Sequence, residues 1–321
     1  MSKLETGNAK NNSDLRIVFV VPTLNEEAGV GLVLDGISKV MQQNNYTVLV
    51  VDGHSEDKTV QIAKERGASI VFQRERGYGD ALMTGFECAC NSLKADILVM
   101  MDADGTYDPK DVPNLLNPIL ENRADLVVGN RFLGIKRGSM TFVNRVGNRM
   151  LSWIARRTLN IGITDTQCGL RALRADLMKH INFKAEGMSL ATEMLAEAKQ
   201  AKARIVEVPI AYHPRIGDTK LNPIKDGSRI LGTILRLIRD YKPLLFFGAF
   251  GFIMASIGSF IGMNIVFEWL ETGSVKHVPS LILSSMLVTT GFFVCMVGLL
   301  ADMIKDLRKE LRARDNRQKD L

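Results

Sequence analysis

The stretch Asp102-Ala103-Asp104 places two carboxylates two residues apart, directly after an apolar run that begins near residue 96. In extended or turn backbone, side chains two apart point to the same side, so both groups can face one ion. Carboxylate oxygens are hard ligands that suit Mg2+ or Mn2+. Mg2+ is ordinarily held by one or two carboxylates, with waters and substrate phosphates completing its shell. The chemistry suggested is the grip of a cation on a diphosphate. The same aspartates also suit helix capping ahead of a helix near Lys110, so the pair alone does not decide.

What must position such a pair is visible around it. Short apolar runs at 16–21, 47–51, 69–72, 96–101 and 125–128 predict strands, and the stretches near 26–43, 56–66, 79–93 and 110–121 predict helices. Alternation of this kind predicts an α/β domain with a mostly parallel sheet covered on both faces. Ligands bind beyond the carboxyl ends of such strands. Each predicted strand ends in a polar, turn-forming cluster. These are Pro22-Thr23-Leu24-Asn25-Glu26-Glu27, Asp52-Gly53-His54-Ser55-Glu56-Asp57, the Gln73–Asp80 segment, Asp102-Ala103-Asp104, and Gly129-Asn130-Arg131. Five clusters converging on one rim raise the aspartate pair from coincidence to a site. Asp52, directly after a strand, is placed to accept a hydrogen bond from a base N–H, whereas Asp57 suits capping of the next helix. No Walker lysine pattern and no G-x-G-x-x-G after the first strand is present, and Gly77-x-Gly79 is too slight to signal a dinucleotide.

Further on, 140–160 reads as an amphipathic helix in which Arg145, Arg149, Arg156 and Arg157 mix with Phe142, Met150, Leu151, Trp153 and Ile154. Such a helix suits a membrane surface, or an ordinary solvent-facing position. A helix near 188–202, a strand near 204–212, a polar loop at 213–222 and a second amphipathic stretch at 223–240 follow. From Leu244 to Phe267 and from Ser280 to Ala301 no charged residue occurs, and each run is long enough to cross a bilayer core as a helix. The net charge is +6, and the tail carries Lys305, Arg308, Lys309, Arg312, Arg314, Arg317 and Lys319. The positive-inside rule then places both ends and the catalytic domain in the cytoplasm. The tail suits contact with anionic lipid or plain solvation, and no nucleic-acid partner is expected. Residues 1–14 lack the apolar core of a signal peptide and read as a disordered leader. Cys88, Cys90, Cys168 and Cys295 show neither a disulfide framework nor zinc spacing. The expected organisation is a leader at 1–14, a catalytic domain at 15–222, a juxtamembrane helix at 223–242, two spans within 243–303 and a basic tail at 304–321.

Taken in order, VPTLNEE, VVDGHSEDKT, the Asp-Ala-Asp, GNRF, DTQCGLRALR and RIGDTKL resemble the polyprenyl-phosphate glycosyltransferases, over roughly residues 15–240. The resemblance is to the inverting family with the GT-A fold that holds the dolichyl-phosphate mannose synthases and glucosyltransferases. It implies that Pro22, Leu24, Glu26, Asp52, Arg76, Asp102 and Ala103 border the nucleotide. Asp102 and Asp104 would hold Mg2+ or Mn2+ against the diphosphate, with Thr106 standing where the family often has a stronger third ligand. Arg131, Arg145 and Lys220 would hold phosphates, and Asp165, Gln167 and Arg171 would shape the sugar or acceptor side. Asp102, Asp104 and Arg131 are thus the expected catalytic set. Glu193 on the 188–202 helix suits a base for a hydroxyl acceptor, or a plain helix-face carboxylate.

The implied donor is GDP-mannose or a UDP-sugar such as UDP-glucose, and the implied acceptor a polyprenyl (dolichyl) phosphate at the bilayer. That phosphate is already anionic near neutral pH and needs no strong base, so the protein's task is positioning and charge management. In-line attack would turn an α-linked donor into a β-linked product. Two other readings remain at this point: a polysaccharide-elongating transferase of the same fold, although no Q-x-x-R-W motif is present, and a non-catalytic nucleotide-sugar-binding scaffold. The sequence leaves self-association open.

Overall fold

The computed structural model describes residues 14–42, 44–75, 77–134, 139–181, 190–216, 232, 235–236, 238–275 and 277–319. The chain divides into two units, Met1–Gly227 and Ser228–Leu321. The expected leader and most of the expected juxtamembrane helix lie outside the described residues, as do Arg76 and Lys220.

In the first unit, strand β1 (Ile17–Thr23) is buried at every position, as are β4 (Ile97–Met100) and β5 (Leu126–Asn130). Strands covered on both faces read as unbroken apolar runs, which is why these three stand out in the sequence. With β2 (Tyr46–Asp52), β3 (Ser69–Phe72), β6 (Arg171–Arg174) and β7 (Ile205–Pro209) they form a seven-stranded sheet in the order β3-β2-β1-β4-β6-β5-β7. All pairings are parallel except those of β6, which runs antiparallel between β4 and β5. β6 has no counterpart among the predicted strands.

The helices cover the sheet. α1 (Glu27–Val40) buries Val30, Val33, Leu34 and Ile37, one stripe at helical spacing. α2 (Thr59–Glu65), α3 (Tyr78–Asn91) and α4 (Val112–Leu120) follow β2, β3 and β4. The order of the sheet then fixes where a ligand can enter. From β1 the chain steps outward to β2 and β3, and returns through α3 to place β4 on the other side of β1. The carboxyl ends of β1 and β4 therefore border the topological switch point, where an open α/β sheet leaves a crevice. The register sets Val20 beside Met100, so Pro22 and Thr23 leave the sheet next to Asp102. β6 starts at the same level, because Met100 pairs with Arg171.

Helix α5 (Phe142–Leu159) opens on Thr141, whose side chain accepts from Asn144 N–H. It ends on Asn160 in the left-handed conformation, a usual helix stop. It carries four arginines and no acid. It buries Leu151, Ser152 and Ala155, yet exposes Phe142, Val143, Val146, Met150 and Trp153. α6 (Leu190–Gln200) is mostly buried, and Glu193 sits half-buried on it.

The second unit is a helical hairpin. α7 (Pro243–Thr272) runs past the apolar segment to Gly273, which takes the left-handed conformation and stops it. α8 (Val278–Lys319) is one helix through the basic tail. The two approach closely at small residues. A Cβ on Gly251 would stand 2.4 Å from Gly291 O, and one on Gly258 would stand 2.8 Å from Ser284 O. Ser284 Oγ donates to Gly258 O at 2.8 Å. Glycine contacts with a hydroxyl cross-link are how helices associate in lipid. Both helices are long and apolar enough to cross a membrane, with mean hydropathy 2.1 and 2.0. Only 11% and 17% of their apolar stretches are buried, unlike the mostly buried core helices of a globular unit.

Candidate functional site

The crevice is lined first by the aspartate pair. Asp102 follows β4, and Tyr78, the first residue of α3, donates from its hydroxyl to Asp102 Oδ1 at 2.8 Å. The other oxygen faces Gly169, where a Cβ would stand 2.7 Å from Oδ2 and 3.0 Å from the Tyr107 hydroxyl. Gly169 N–H donates to that hydroxyl at 2.7 Å. The glycine of the DTQCG stretch is therefore required by close approach to the first aspartate. Burial and the neighbouring Asp104 carboxylate push the Asp102 carboxyl up to about 7, against the opposing effects of the Tyr78 hydrogen bond, Arg131 and Arg215.

Asp104 accepts at Oδ1 from Thr106 N–H at 3.0 Å and from the Thr106 hydroxyl at 2.6 Å. Thr106, expected near a third ligand position, here orients the second aspartate from within. Asp104 Oδ2 lies 3.6 Å from Arg215 Nη1, and the other terminal nitrogen of Arg215 pairs with Glu26. Glu26, at the end of the β1 turn, is thereby drawn to the aspartate pair. Ala103 is buried, and its carbonyl oxygen would be 2.5 Å from a Cβ on Gly29, so the first turn of α1 packs directly on the loop.

The segment after β7 closes over this loop. Tyr107 and Tyr212 form an antiparallel bridge, His213 N–H donates to Thr106 O, and Ile216 N–H donates to Asp104 O. That path carries Arg215 to Asp104. Sequence reasoning passed over Arg215 in favour of Lys220, although both stand in the same polar loop. It also passed over Tyr78 and Gly169, whose contacts with Asp102 cross 24 and 67 positions of chain. Glu207, likewise unmarked, accepts from Thr164 and Asp165 N–H and holds their loop to β7.

Three expected site residues are engaged by hydrogen bonds within the fold. Asp52 is fully buried. Its Oδ1 accepts from Ser55 N–H at 2.8 Å, and its Oδ2 from the hydroxyls of Ser55 at 2.6 Å and Thr23 at 3.0 Å. These hydrogen bonds build the turn after β2. Arg171 is also fully buried, with its guanidinium donating to the carbonyls of Cys168, Ala191 and Thr166. It ties the DTQCG loop to the start of α6. Gln167 donates to the hydroxyls of Thr166 and Thr192, reinforcing the same tie.

Arg131 and Asp165 form one buried fork. Nε and Nη2 donate to the two carboxylate oxygens at 2.8 Å each, and Arg131 N–H donates to Oδ2 at 3.0 Å. Burial works against the Arg131 charge, but Asp165 more than offsets it and holds the guanidinium above its ordinary value. The Arg131 guanidinium also stacks 5.4 Å from the Tyr212 ring centre. It thus stands beside the aspartates as a fixed positive charge. Of the remaining expected residues, Pro22 is buried in β1 and Leu24 is exposed at its end. Arg145 is exposed on α5. Arg149, Arg156, Trp153, Phe132 and Leu133 border a cavity of about 290 Å³ between α5 and the end of β5. Asp57 accepts from Glu27 and Thr59 N–H, joining the first turns of α1 and α2 as the capping alternative required.

A sheet of this order, with paired aspartates at its switch point, defines a glycosyltransferase of the GT-A class. Residues 18–181 match the family described as Glycosyl transferase family 2, and the chain belongs to that family. It is 31% identical over 296 residues to the glycosyltransferase AglJ of Haloferax volcanii, covering 92% of this chain and 95% of that one. It is 33% identical to the dolichyl-phosphate hexose transferase of the same organism, over 70% of this chain and 95% of the relative. Among solved structures, glucosyl-3-phosphoglycerate synthase of Mycobacterium tuberculosis, in complex with Mn2+, UDP-glucose and phosphoglyceric acid, superposes with a TM-score of 0.57 at 25% identity. That match covers 70% of this chain and 79% of the synthase. Another structure of the synthase holds Mg2+ and UDP.

Proposed function

We propose that this glycosyltransferase moves a hexose from a nucleoside diphosphate sugar to a polyprenyl phosphate, with inversion at the anomeric carbon and with the help of Mg2+ or Mn2+. The observation that carries the reading is the pair of carboxylates Asp102 and Asp104 at the switch point, in a chain that also has two membrane-length helices. The names of the relatives support the acceptor, and the UDP-glucose complex of the synthase supports a UDP-sugar, with GDP-mannose as the other candidate donor.

The residues present fit a divalent cation. Two carboxylates buried close enough to drive one of them up to about 7 gain from a shared cation. Among the described residues no third histidine, cysteine or carboxylate completes a cluster with them. That donor set leaves the remaining positions to phosphate oxygens and water, as Mg2+ and Mn2+ accept. Bound there, the ion would neutralise charge building on the departing diphosphate.

The chain's own residues do the rest. Tyr78 and Thr106 fix the rotation of the two carboxylates. Arg215, now shared between Glu26 and Asp104, stands ready to turn to a phosphate. Arg131, locked by Asp165, supplies a positive charge that cannot move away. Arg145 on α5 is offered to the acceptor phosphate, which attacks the anomeric carbon while the sugar–diphosphate bond breaks, its electron pair leaving with the nucleotide. The exposed apolar and basic residues of α5 suit the headgroup layer of a bilayer, where a polyprenyl chain stays because its transfer to water costs about 0.8 kcal/mol per CH2. The catalytic region spans 15–222, α7 and α8 cross the membrane, and the basic tail holds both ends in the cytoplasm.

The test is transfer of radiolabelled sugar from UDP-glucose, UDP-N-acetylglucosamine or GDP-mannose to dolichyl phosphate by the full chain in membranes. One donor is expected to give a lipid-linked product, and Asp104→Ala to abolish it. Equal product from variant and parent would remove the role given to the aspartates, and no product from any donor would overturn the reading.

A further inference from the structure

Helix α5 and the end of β5 enclose a cavity of about 290 Å³ whose walls differ in kind from those of the aspartate crevice. One wall is neutral and hydrogen-bonding: Asn130 Nδ2 donates to Thr164 Oγ1 at 2.7 Å, and both residues line the cavity. The facing wall is basic and aromatic. Arg149, Trp153 and Arg156 recur there at helical spacing, on one face of α5. The Arg149 guanidinium lies 5.5 Å from the Phe132 ring centre, which seats it against the cavity. No carboxylate lines the cavity. Among the described residues, neither Arg149 nor Arg156 has an acid within ion-pair distance.

Two guanidinium groups without an acid to neutralise them attract an anion, and the planar fork of arginine matches phosphate oxygens. The apolar surroundings decide which kind of phosphate. The same face of α5 continues into Phe142 and Val146, 79% and 48% exposed, while Trp153 and Leu133 at the cavity are 65% and 72% exposed. A free anion would leave this apolar surface in water. The headgroup layer of a bilayer takes phosphate, arginine and tryptophan at one depth, and the chain carries two helices long enough to enter a bilayer.

We propose that this cavity binds the phosphodiester headgroup of an anionic glycerophospholipid, a lipid that is held and not consumed. Arg149 and Arg156 take the phosphate, and Trp153 meets the start of the acyl chains. The site is separate from the aspartate pair and from Arg145, and it does not depend on which sugar or acceptor the enzyme uses. It adjoins the Arg131–Asp165 fork through the backbone. Asn130 and Phe132 flank Arg131 in the chain, and Thr164 precedes Asp165. A lipid bound there fixes α5 against both segments of the fork and braces the guanidinium that stands beside the aspartates.

The chain has two tryptophans, Trp153 and Trp269, so Trp269→Phe leaves Trp153 as the fluorescent reporter. The full chain with that change, in a neutral detergent, is titrated with short-chain phosphatidylglycerol, short-chain phosphatidylcholine, inorganic phosphate and farnesyl phosphate. Phosphatidylglycerol is expected to give a saturable change in Trp153 emission, and the other three to give none at the same concentrations. Arg149→Gln with Arg156→Gln is expected to weaken phosphatidylglycerol about tenfold or more, the loss of two charge-assisted contacts, and each single substitution to show part of that loss. Amide hydrogen exchange at 130–134 and 163–166 is expected to slow on adding phosphatidylglycerol to the parent, and not to the double variant. Equal responses to phosphatidylglycerol and phosphatidylcholine overturn the proposal, since the face then only adsorbs apolar chains. So does inorganic phosphate binding as tightly as the lipid, since the site then takes a free anion. Displacement of phosphatidylglycerol by farnesyl phosphate assigns the cavity to an acceptor instead, and overturns it too. Unchanged affinity in the double variant removes the arginines from the site, and unchanged exchange in the parent removes the brace on Arg131.

Discussion

Replacing Tyr78 by Phe removes one hydroxyl and little else, and its effect is expected to appear in the pH dependence. That hydroxyl donates to Asp102 Oδ1 at 2.8 Å, and the contact lowers a carboxyl that burial and Asp104 have pushed up to about 7. A hydrogen bond to a charged group contributes about 1.5–3 kcal/mol, and one pK unit corresponds to about 1.4 kcal/mol. Losing it should move Asp102 upward by about one to two units. An ion can be held only by the ionised form, so at pH 7 the competent fraction falls from about half to about a tenth or less. The acid limb of kcat/KM for the nucleotide sugar should therefore shift to higher pH by about one unit or more, with the plateau at alkaline pH largely kept. Mn2+ affinity, followed by electron paramagnetic resonance without acceptor, should show the same shift. The folding consequence has a definite sign. The Asp102 carboxyl is raised above its ordinary 3.8, so its contribution to stability is present below that value and is lost as pH rises through about 7. Tyr78→Phe extends the loss to higher pH, and a divalent cation opposes it. An acid limb that stays in place, or a fall in rate that is uniform across pH, would refute the role given to Tyr78.

Three further outcomes follow from the same contacts. Asp165→Ala leaves the buried Arg131 without its partner, and should lower stability by about 3–5 kcal/mol in denaturant titration, with Arg131→Ala in the same chain recovering part of the loss. Gly169→Ala sets a methyl 2.7 Å from Asp102 Oδ2, and should cut kcat/KM by about a hundredfold through misplacement of that carboxylate, read by the transfer assay. Asp125 is desolvated, yet hydrogen bonds from Arg204 and the charges of Arg204 and Arg174 keep its carboxyl below its ordinary 3.8. Its contribution is present above that value and is lost as pH falls through the lower one, so Asp125→Asn should flatten the acid limb of a stability–pH curve.

The strands that carry the site were legible because of how they are buried. The runs at 16–21, 47–51, 69–72, 96–101 and 125–128 match β1 to β5 within two residues at either end. These strands are apolar because most of their residues face helices on both sides, and the turn chemistry after each marks its carboxyl end. β6 was not legible for the opposite reason. Its four residues begin and end with arginine, and no hydropathy scale places Arg171 at zero exposure. What makes that burial tolerable is a set of three carbonyls, one of them 20 residues away on α6. The antiparallel insertion of β6 depends on those contacts and on register with two strands at once, which composition along the chain does not encode.

The same distinction explains the candidate site. Sequence position tells that a carboxylate follows a strand, so Asp52, Asp102 and Asp104 look alike in the chain. What separates them is how many donors the fold brings to each. Asp52 receives three hydrogen bonds spread over both of its oxygens. Asp102 receives one, from Tyr78, and Asp104 receives two at a single oxygen, from Thr106. Among the described residues, Asp102 Oδ2 faces Gly169 and Asp104 Oδ2 lies 3.6 Å from Arg215 Nη1. A carboxylate with a whole oxygen in reserve is placed to share a cation, whereas Asp52 has both oxygens engaged in its turn.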